Sequence, residues 1–121
     1  MKFRLLTLAL LTVPTVAWGQ RASNVTGGNL LGFCTDRQFS RVQNCEAYLN
    51  GVADTFTGFM KFGPKDPKGR PLAAMICIPD GVTGRDLRLA VIQGLQANPS
   101  LQSRQAVEAV ERILHKNYPC H

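Results

Sequence analysis

Long apolar runs, histidines and closely paired cysteines are all scarce in this chain, and each scarcity removes a class of protein. Beyond the first twenty residues no stretch is long and apolar enough to span a bilayer, which takes about 20 consecutive apolar residues. The two histidines, His115 and His121, both lie near the C-terminus, and the four cysteines include no C-x-x-C pair. A zinc site is therefore poorly supported, and no other metal or cofactor is called for. There is no G-x-S-x-G elbow, no H-E-x-x-H helix and no phosphate-binding loop, so the familiar catalytic frameworks are missing. Internal repeats and low-complexity tracts are absent too. Acidic residues are few, 8 against 14 Lys and Arg. The basic residues are dispersed with few aromatics between them, a pattern that argues for a solvated basic surface over a nucleic-acid footprint.

The start of the chain has the form of an export signal. Lys2 and Arg4 give a positive beginning, Leu5 to Val16 an uncharged and mainly apolar stretch, and Ala17-Trp18-Gly19 small residues at the positions a signal peptidase reads. Cleavage is expected after Gly19, with Ala17 as the alternative. Residues 1–19 are then a leader and 20–121 a single small domain in the periplasm. No cysteine lies near the cleavage point, so no lipid anchor is expected. Loss of Lys2 and Arg4 lowers the formal charge from +6 to +4.

Four cysteines remain: Cys34, Cys45, Cys77 and Cys120. An even number in a short exported chain reads as a disulfide framework. Spacing alone leaves the pairing open. If helices pack antiparallel and the chain returns through an irregular connection, Cys45–Cys77 with Cys34–Cys120 is the preferred arrangement, and Cys34–Cys45 with Cys77–Cys120 is the alternative.

The polypeptide between them reads as an all-α bundle of about four helices. Thr26 can cap a short helix carrying Leu30, Leu31 and Cys34. From about Arg37 to Lys61, the residues Cys45, Tyr48, Leu49, Val52, Phe56, Phe59 and Met60 recur at three- and four-residue steps, as one buried helical face does. Ala47, Gly51 and Gly58 form a small-residue stripe that would let a second helix approach. Thr83 and Asp86 resemble a capping box opening a helix with Leu87, Val91, Ile92 and Leu95 inward. Asn98-Pro99 ends it. A last helix is expected from about Leu101, carrying Ala106, Val107, Val110, Ile113 and Leu114 and stopping at Tyr118-Pro119.

The segment 62–74 breaks this pattern. Gly63, Pro64, Pro67, Gly69 and Pro71 forbid a continuous helix. Lys61, Lys65, Lys68 and Arg70 make the region basic against a single acid, Asp66. A long irregular connection of this kind is usually functional or disordered. It is the candidate partner-binding loop.

Several blocks in order resemble one family. Gly28-Asn29-Leu30-Leu31-Gly32-Phe33-Cys34 is similar to an opening G-x-x-L-L-x-x-C block. Cys45 to Asp54 resembles C-x-x-Y-x-x-G-V-x-D, through Tyr48, Gly51, Val52 and Asp54. Cys77-Ile78-Pro79-Asp80-Gly81-Val82-Thr83 resembles C-x-P-x-G-V-T, and Tyr118-Pro119-Cys120 stands where a Phe-Pro-Cys is usual. Together they resemble the Rap/Tai immunity proteins, small helical periplasmic proteins. Some members neutralise peptidoglycan amidase toxins delivered by type VI secretion. The resemblance implies a steric inhibitor with a protruding segment in a toxin's cleft, and therefore a protein partner. A homodimer stays open.

The matched residues read mainly as structure. Tyr48 is expected as a packed ring with its hydroxyl at the rim, and Gly51 as a helix contact. Pro79, Gly81 and Pro119 fall at turns and helix ends. Asp54 is expected among apolar neighbours, accepting hydrogen bonds from backbone or a cation. With four cysteines paired off, no thiol remains for a nucleophile, so a binding protein is favoured over an enzyme. The alternatives are an acid-stress chaperone of the HdeA type and an envelope accessory protein without a toxin partner. Eight acids give the chaperone reading few groups for a switch.

Overall fold

In the computed structural model, residues 23–72 and 76–121 are described; the expected leader lies outside them. Four helices follow one another: α1 (Gly27–Cys34), α2 (Phe39–Phe62), α3 (Gly84–Ala97) and α4 (Ala106–Asn117), with a 3₁₀ turn at Pro99–Ser103 between the last two. No strand longer than an isolated bridge occurs among the described residues. The architecture is all-α.

The helix starts are set by side chains that satisfy orphan backbone donors. The Thr26 hydroxyl accepts from the Asn29 amide at 3.1 Å, and the Asn29 side chain accepts from the Thr26 amide at 3.2 Å. Thr83 and Asp86 make the same reciprocal pair at α3, at 3.2 and 2.8 Å. Both are capping boxes, with Asn and Asp in place of the usual Glu.

α4 begins at Ala106, not near Leu101. Here a tertiary bond overrides local periodicity. The Gly27 amide donates to the Arg104 carbonyl, and the Ala106 amide to the Val25 carbonyl, both at 2.9 Å. This short antiparallel bridge between Thr26 and Gln105 draws the chain out of helix just before α4.

One core joins all four helices. Leu30, Leu49, Val91, Leu95, Val110 and Leu114 are fully buried within it, with Ile76 from the connection between α2 and α3. Burying a side chain of this kind is worth about 1.5–3 kcal/mol. Arg88 adds a polar tie. Its Nε donates to Glu46 at 2.9 Å and another guanidinium nitrogen reaches the Cys34 carbonyl at 3.4 Å, so α3 holds α2 and the end of α1 together.

The close helix approach lies elsewhere than expected. Gly51 and Gly58 have no described atom beyond their own turns of helix within 4 Å of where a Cβ would stand. At about 100° per residue, Ala47, Gly51 and Gly58 fall on the side of α2 opposite Leu49 and therefore opposite the core. Gly94 is the packing glycine: a Cβ there would meet Ile113 Cγ1 at 2.6 Å, so its missing side chain lets α3 and α4 touch.

The disulfides also differ from the preferred pairing. Cys34 bonds to Cys45 and Cys77 to Cys120. Cys45 lies on the second turn of α2, against the end of α1, whereas Cys77 is placed beside the chain's end. There the Cys77 amide donates to the Tyr118 carbonyl at 2.9 Å and Ile76 pairs with Pro119. The connection thus returns to the C-terminus of α4 and not to α2. Loop-closure entropy assigns about 3 kcal/mol to the bridge spanning 11 residues and about 4 kcal/mol to the one spanning 43.

Candidate functional site

α2 outruns the core. Its buried residues are Cys45, Leu49 and Ala53, and beyond Ala53 none is fully buried. Phe56 still packs on the core, but Phe59 is 49% exposed and Phe62 is 88% exposed. Phe59 was counted on the buried face. It lies about 80° round the helix from Leu49, and Phe62 about 140°, so the overhanging turns carry these rings away from the core. Thr55, Gly58, Phe59, Phe62 and Gly63 line one shallow, mainly apolar depression.

The basic segment that follows is an ordered hairpin. Lys65 and Pro71 form an antiparallel bridge, the Leu72 amide donates to the Pro64 carbonyl at 3.0 Å, and the Asp66 amide to the Arg70 carbonyl at 2.8 Å. Asp66-Pro67-Lys68-Gly69 makes the reversal, with Gly69 at φ +77°, a region that costs glycine nothing. The Asp66 carboxylate sits inside the turn. It accepts from the Lys68 amide at 2.8 Å, the Arg70 amide at 2.9 Å and Arg70 Nε at 2.7 Å. The Arg70 amide bond is the main cause holding this carboxyl below its ordinary range, with the Arg70 guanidinium and Lys68 amide adding to it against partial desolvation.

The four cations of the expected loop therefore divide. Lys61, on the last turn of α2, and Lys65 and Lys68, on the hairpin, are exposed and make no ion pair among the described residues. Arg70 is exposed as well, but its guanidinium is spent on Asp66. Leu72, 66% exposed, lies at the foot of the hairpin. The result is a projecting end with aromatic and aliphatic surface among three unpaired lysines.

The turn role of Asp66 and the exposed surfaces of Phe62 and Leu72 escaped the sequence reading. For Asp66 the signal was available: Asp-Pro-x-Gly is a turn with a mechanism, the Asp side chain capping the amide two residues on. Phe62 and Leu72 carried no such signal, because nothing in their neighbourhood distinguishes an exposed ring from a buried one.

The motif residues are placed on another surface. Asp54, Pro79 and Gly81 meet in a groove of about 410 Å³ with Asn50, Thr57 and Asp80. Asp54 is exposed there, and no described group hydrogen-bonds it, contrary to the expectation for this residue. The expectation followed from its apolar sequence neighbours, which point to the other side of the helix. Gly81, at φ +92°, turns the chain so that the Val82 amide reaches the Pro79 carbonyl at 3.3 Å. Tyr48 is half-buried against the core, and that burial raises its hydroxyl above the ordinary value. Gly51 is exposed, and Pro119 supports the Ile76 bridge. Tyr48, Gly81 and Pro119 thus take part in core packing, a turn and a bridge, while Gly51 and Asp54 face solvent.

A family model described as Rap1a immunity proteins matches residues 26–120, most of the chain and all four helices. No curated protein and no solved structure matches. No helix among the described residues is long and apolar enough to cross a membrane.

Proposed function

The chain belongs to the Rap1a immunity protein family, and on that premise we propose that it is an exported, non-catalytic inhibitor that sterically blocks a peptidoglycan amidase toxin in the periplasm. Export rests on the leader-like residues 1–19. The two disulfides suit an oxidising compartment.

The observation that carries the reading is the projecting end of α2 with its hairpin. Exposed Phe62 and Leu72 supply apolar anchor area, and Lys61, Lys65 and Lys68 surround it with positive charge. Aromatic anchors desolvated in a partner's pocket carry most interface energy. Rim charges act mainly on encounter, drawing a cleft of opposite sign. The Asp66 network fixes the hairpin before binding, which reduces the ordering entropy lost on association. The partner is accordingly a toxin whose active-site cleft is apolar within and acidic at its edge.

The deciding measurement is inhibition of peptidoglycan hydrolysis by an amidase encoded beside this gene or delivered by type VI secretion to the same cell. Stoichiometric inhibition is expected, and Phe62→Ala should weaken it chiefly through faster dissociation. Failure of the unaltered protein to inhibit or bind any such amidase would reject the inhibitor reading.

A further inference from the structure

A cleft of about 500 Å³ opens between the C-terminal halves of α3 and α4 and the 3₁₀ turn that joins them. Its volume falls within the range of small-ligand sites, about 300–1,000 Å³. None of its lining residues belongs to α2 or the hairpin, so it stands apart from the projecting end. The floor follows from the helix contact at Gly94. Ala90, Gly94 and Ala97 recur at four- and three-residue steps, giving α3 a face with no side chain larger than a methyl, and Ile113 and Leu101 close it. Such a floor offers contact to small apolar groups. The walls are polar and carry charge of one sign. Arg112 and Lys116, one turn apart on α4, both line the cleft, and no carboxylate does. Arg112 gives one terminal nitrogen to Glu108 at 3.0 Å and keeps its other donors. Lys116 makes no ion pair among the described residues. The last turns of two helices meet here, and bare carbonyls at those ends would repel an anion. Two side-chain amides cover them: Asn98 Nδ2 donates to the Gly94 carbonyl at 3.1 Å, and Asn117 Nδ2 to the Ile113 carbonyl at 2.8 Å. With the nitrogens so held, both amide oxygens remain without a donor among the described residues, ready to accept.

We propose that this cleft binds the free C-terminal end of a short peptide with small side chains. The peptide carboxylate meets Arg112 and Lys116, a charge-assisted pairing that suits the planar guanidinium. Its amide N–H groups donate to the Asn98 and Asn117 oxygens, and its methyl side chains rest on Ala90, Gly94 and Ala97. Two cations without a competing acid select the anionic end, and the small floor selects the side chains beside it. The site is independent of the inhibitor reading and stands or falls separately.

The test is a titration of the isotope-labelled full exported chain with N-acetyl-alanyl-alanine, in its L,L and D,D forms, followed by two-dimensional amide NMR. Saturable shifts are expected at Gly94, Asn98 and Lys116, while the amides of Leu49 and Lys68 stay in place. The same dipeptide with its carboxylate converted to an amide should bind about tenfold more weakly, the effect of losing a charge-assisted hydrogen bond. Lys116→Gln should weaken binding of the acid and leave binding of the amide unchanged, and Ala97→Leu, which fills the floor, should abolish both. Tighter binding of the D,D form would assign the ligand to cell-wall peptides, and of the L,L form to products of proteolysis. Four outcomes would overturn the peptide site: no saturation with either form, equal binding of acid and amide, acetate binding as well as the dipeptide, or binding unmoved by Ala97→Leu. Ala97 and Lys116 are exposed, and the same spectra show whether each variant is folded. If either is not, the comparison of acid with amide on the unaltered protein decides.

Discussion

The first half of α2 carries Cys45 and Leu49 with no exposed surface, and the second half carries Phe59 and Phe62 largely in solvent. Both halves are regular helix without a break. The difference is what lies beside them. Early turns meet α1, α3 and a disulfide, while the last turns run on to a hairpin that is held by its own hydrogen bonds. One helix thus serves as core element and as support for a projecting surface, and the two roles should respond differently to substitution.

The largest effect belongs to the core half. Leu49→Ala should lower unfolding free energy by about 2–5 kcal/mol, because the close-packed neighbours cannot collapse fully into the space. Urea titration followed by circular dichroism gives the value, and a loss well under 1 kcal/mol would mean that this half is not packed as described. Gly94→Ala comes next, at about 1–3 kcal/mol, since the new methyl must displace Ile113. The matching change at Gly51, on the open side of α2, should leave stability equal or raise it by about 0.5–1 kcal/mol through helix propensity. That pair of glycines separates the faces of the bundle in one experiment.

How far the fold could be read from sequence follows the same division. Four helices, the Thr26 cap, the Thr83–Asp86 capping box and most core positions were legible, because helical periodicity and cap chemistry are local signals. The small-residue stripe of α2 was misread because spacing shows that Ala47, Gly51 and Gly58 share a face but not what that face meets. The start of α4 was misplaced because the bond from Gly27 to Arg104 is tertiary. Disulfide pairing was misjudged for a similar reason: it depends on where the connection returns, and only Ile76 seated in the core fixes that. Of the projecting end, the lysines and the exceptional composition were visible, but the hairpin reads as irregular in the sequence and its apolar surface went unseen.

On the projecting half, Asp66→Ala should disorder the turn without unfolding the bundle. Hydrogen exchange at the Lys68 and Arg70 amides should lose its protection, while amides of Leu49 and Val91 keep theirs. Equal loss in both places would mean that hairpin and core unfold as one unit.

Acidification tests the carboxylates. Asp66 and, at the start of α3, Asp86 are both held below the ordinary range, Asp86 chiefly by the Thr83 amide and then by its hydroxyl and Arg85. A depressed carboxyl contributes its stability above the unfolded value and loses it as pH falls through the folded one. Both contributions should therefore persist down to about pH 4 and fade only below it. Near-ultraviolet circular dichroism should stay native down to that point. Earlier loss, accompanied by dye binding and protection of client proteins, would favour the acid-stress chaperone.

The smallest effect is expected at the lysines. Lys65→Ser with Lys68→Ser should move stability by no more than about 0.5 kcal/mol. Association with the toxin should nevertheless slow and lose much of its salt dependence, because steering charges act on encounter. An unchanged on-rate would shift the binding face to the groove around Asp54 and Asp80.

Consecutive pairing of the cysteines has a consequence for how the chain is made. Cys34 bonds to Cys45 and Cys77 to Cys120, so each native partner is the next cysteine along. In a polypeptide that enters an oxidising space N-terminus first, the order of arrival and the order of bonding coincide. Cys45 is the first thiol Cys34 can meet, and eleven residues of chain let that pair close before Cys77 emerges. The correct bridges then form without a wrong one to undo, and maturation should need an oxidant but no disulfide isomerase.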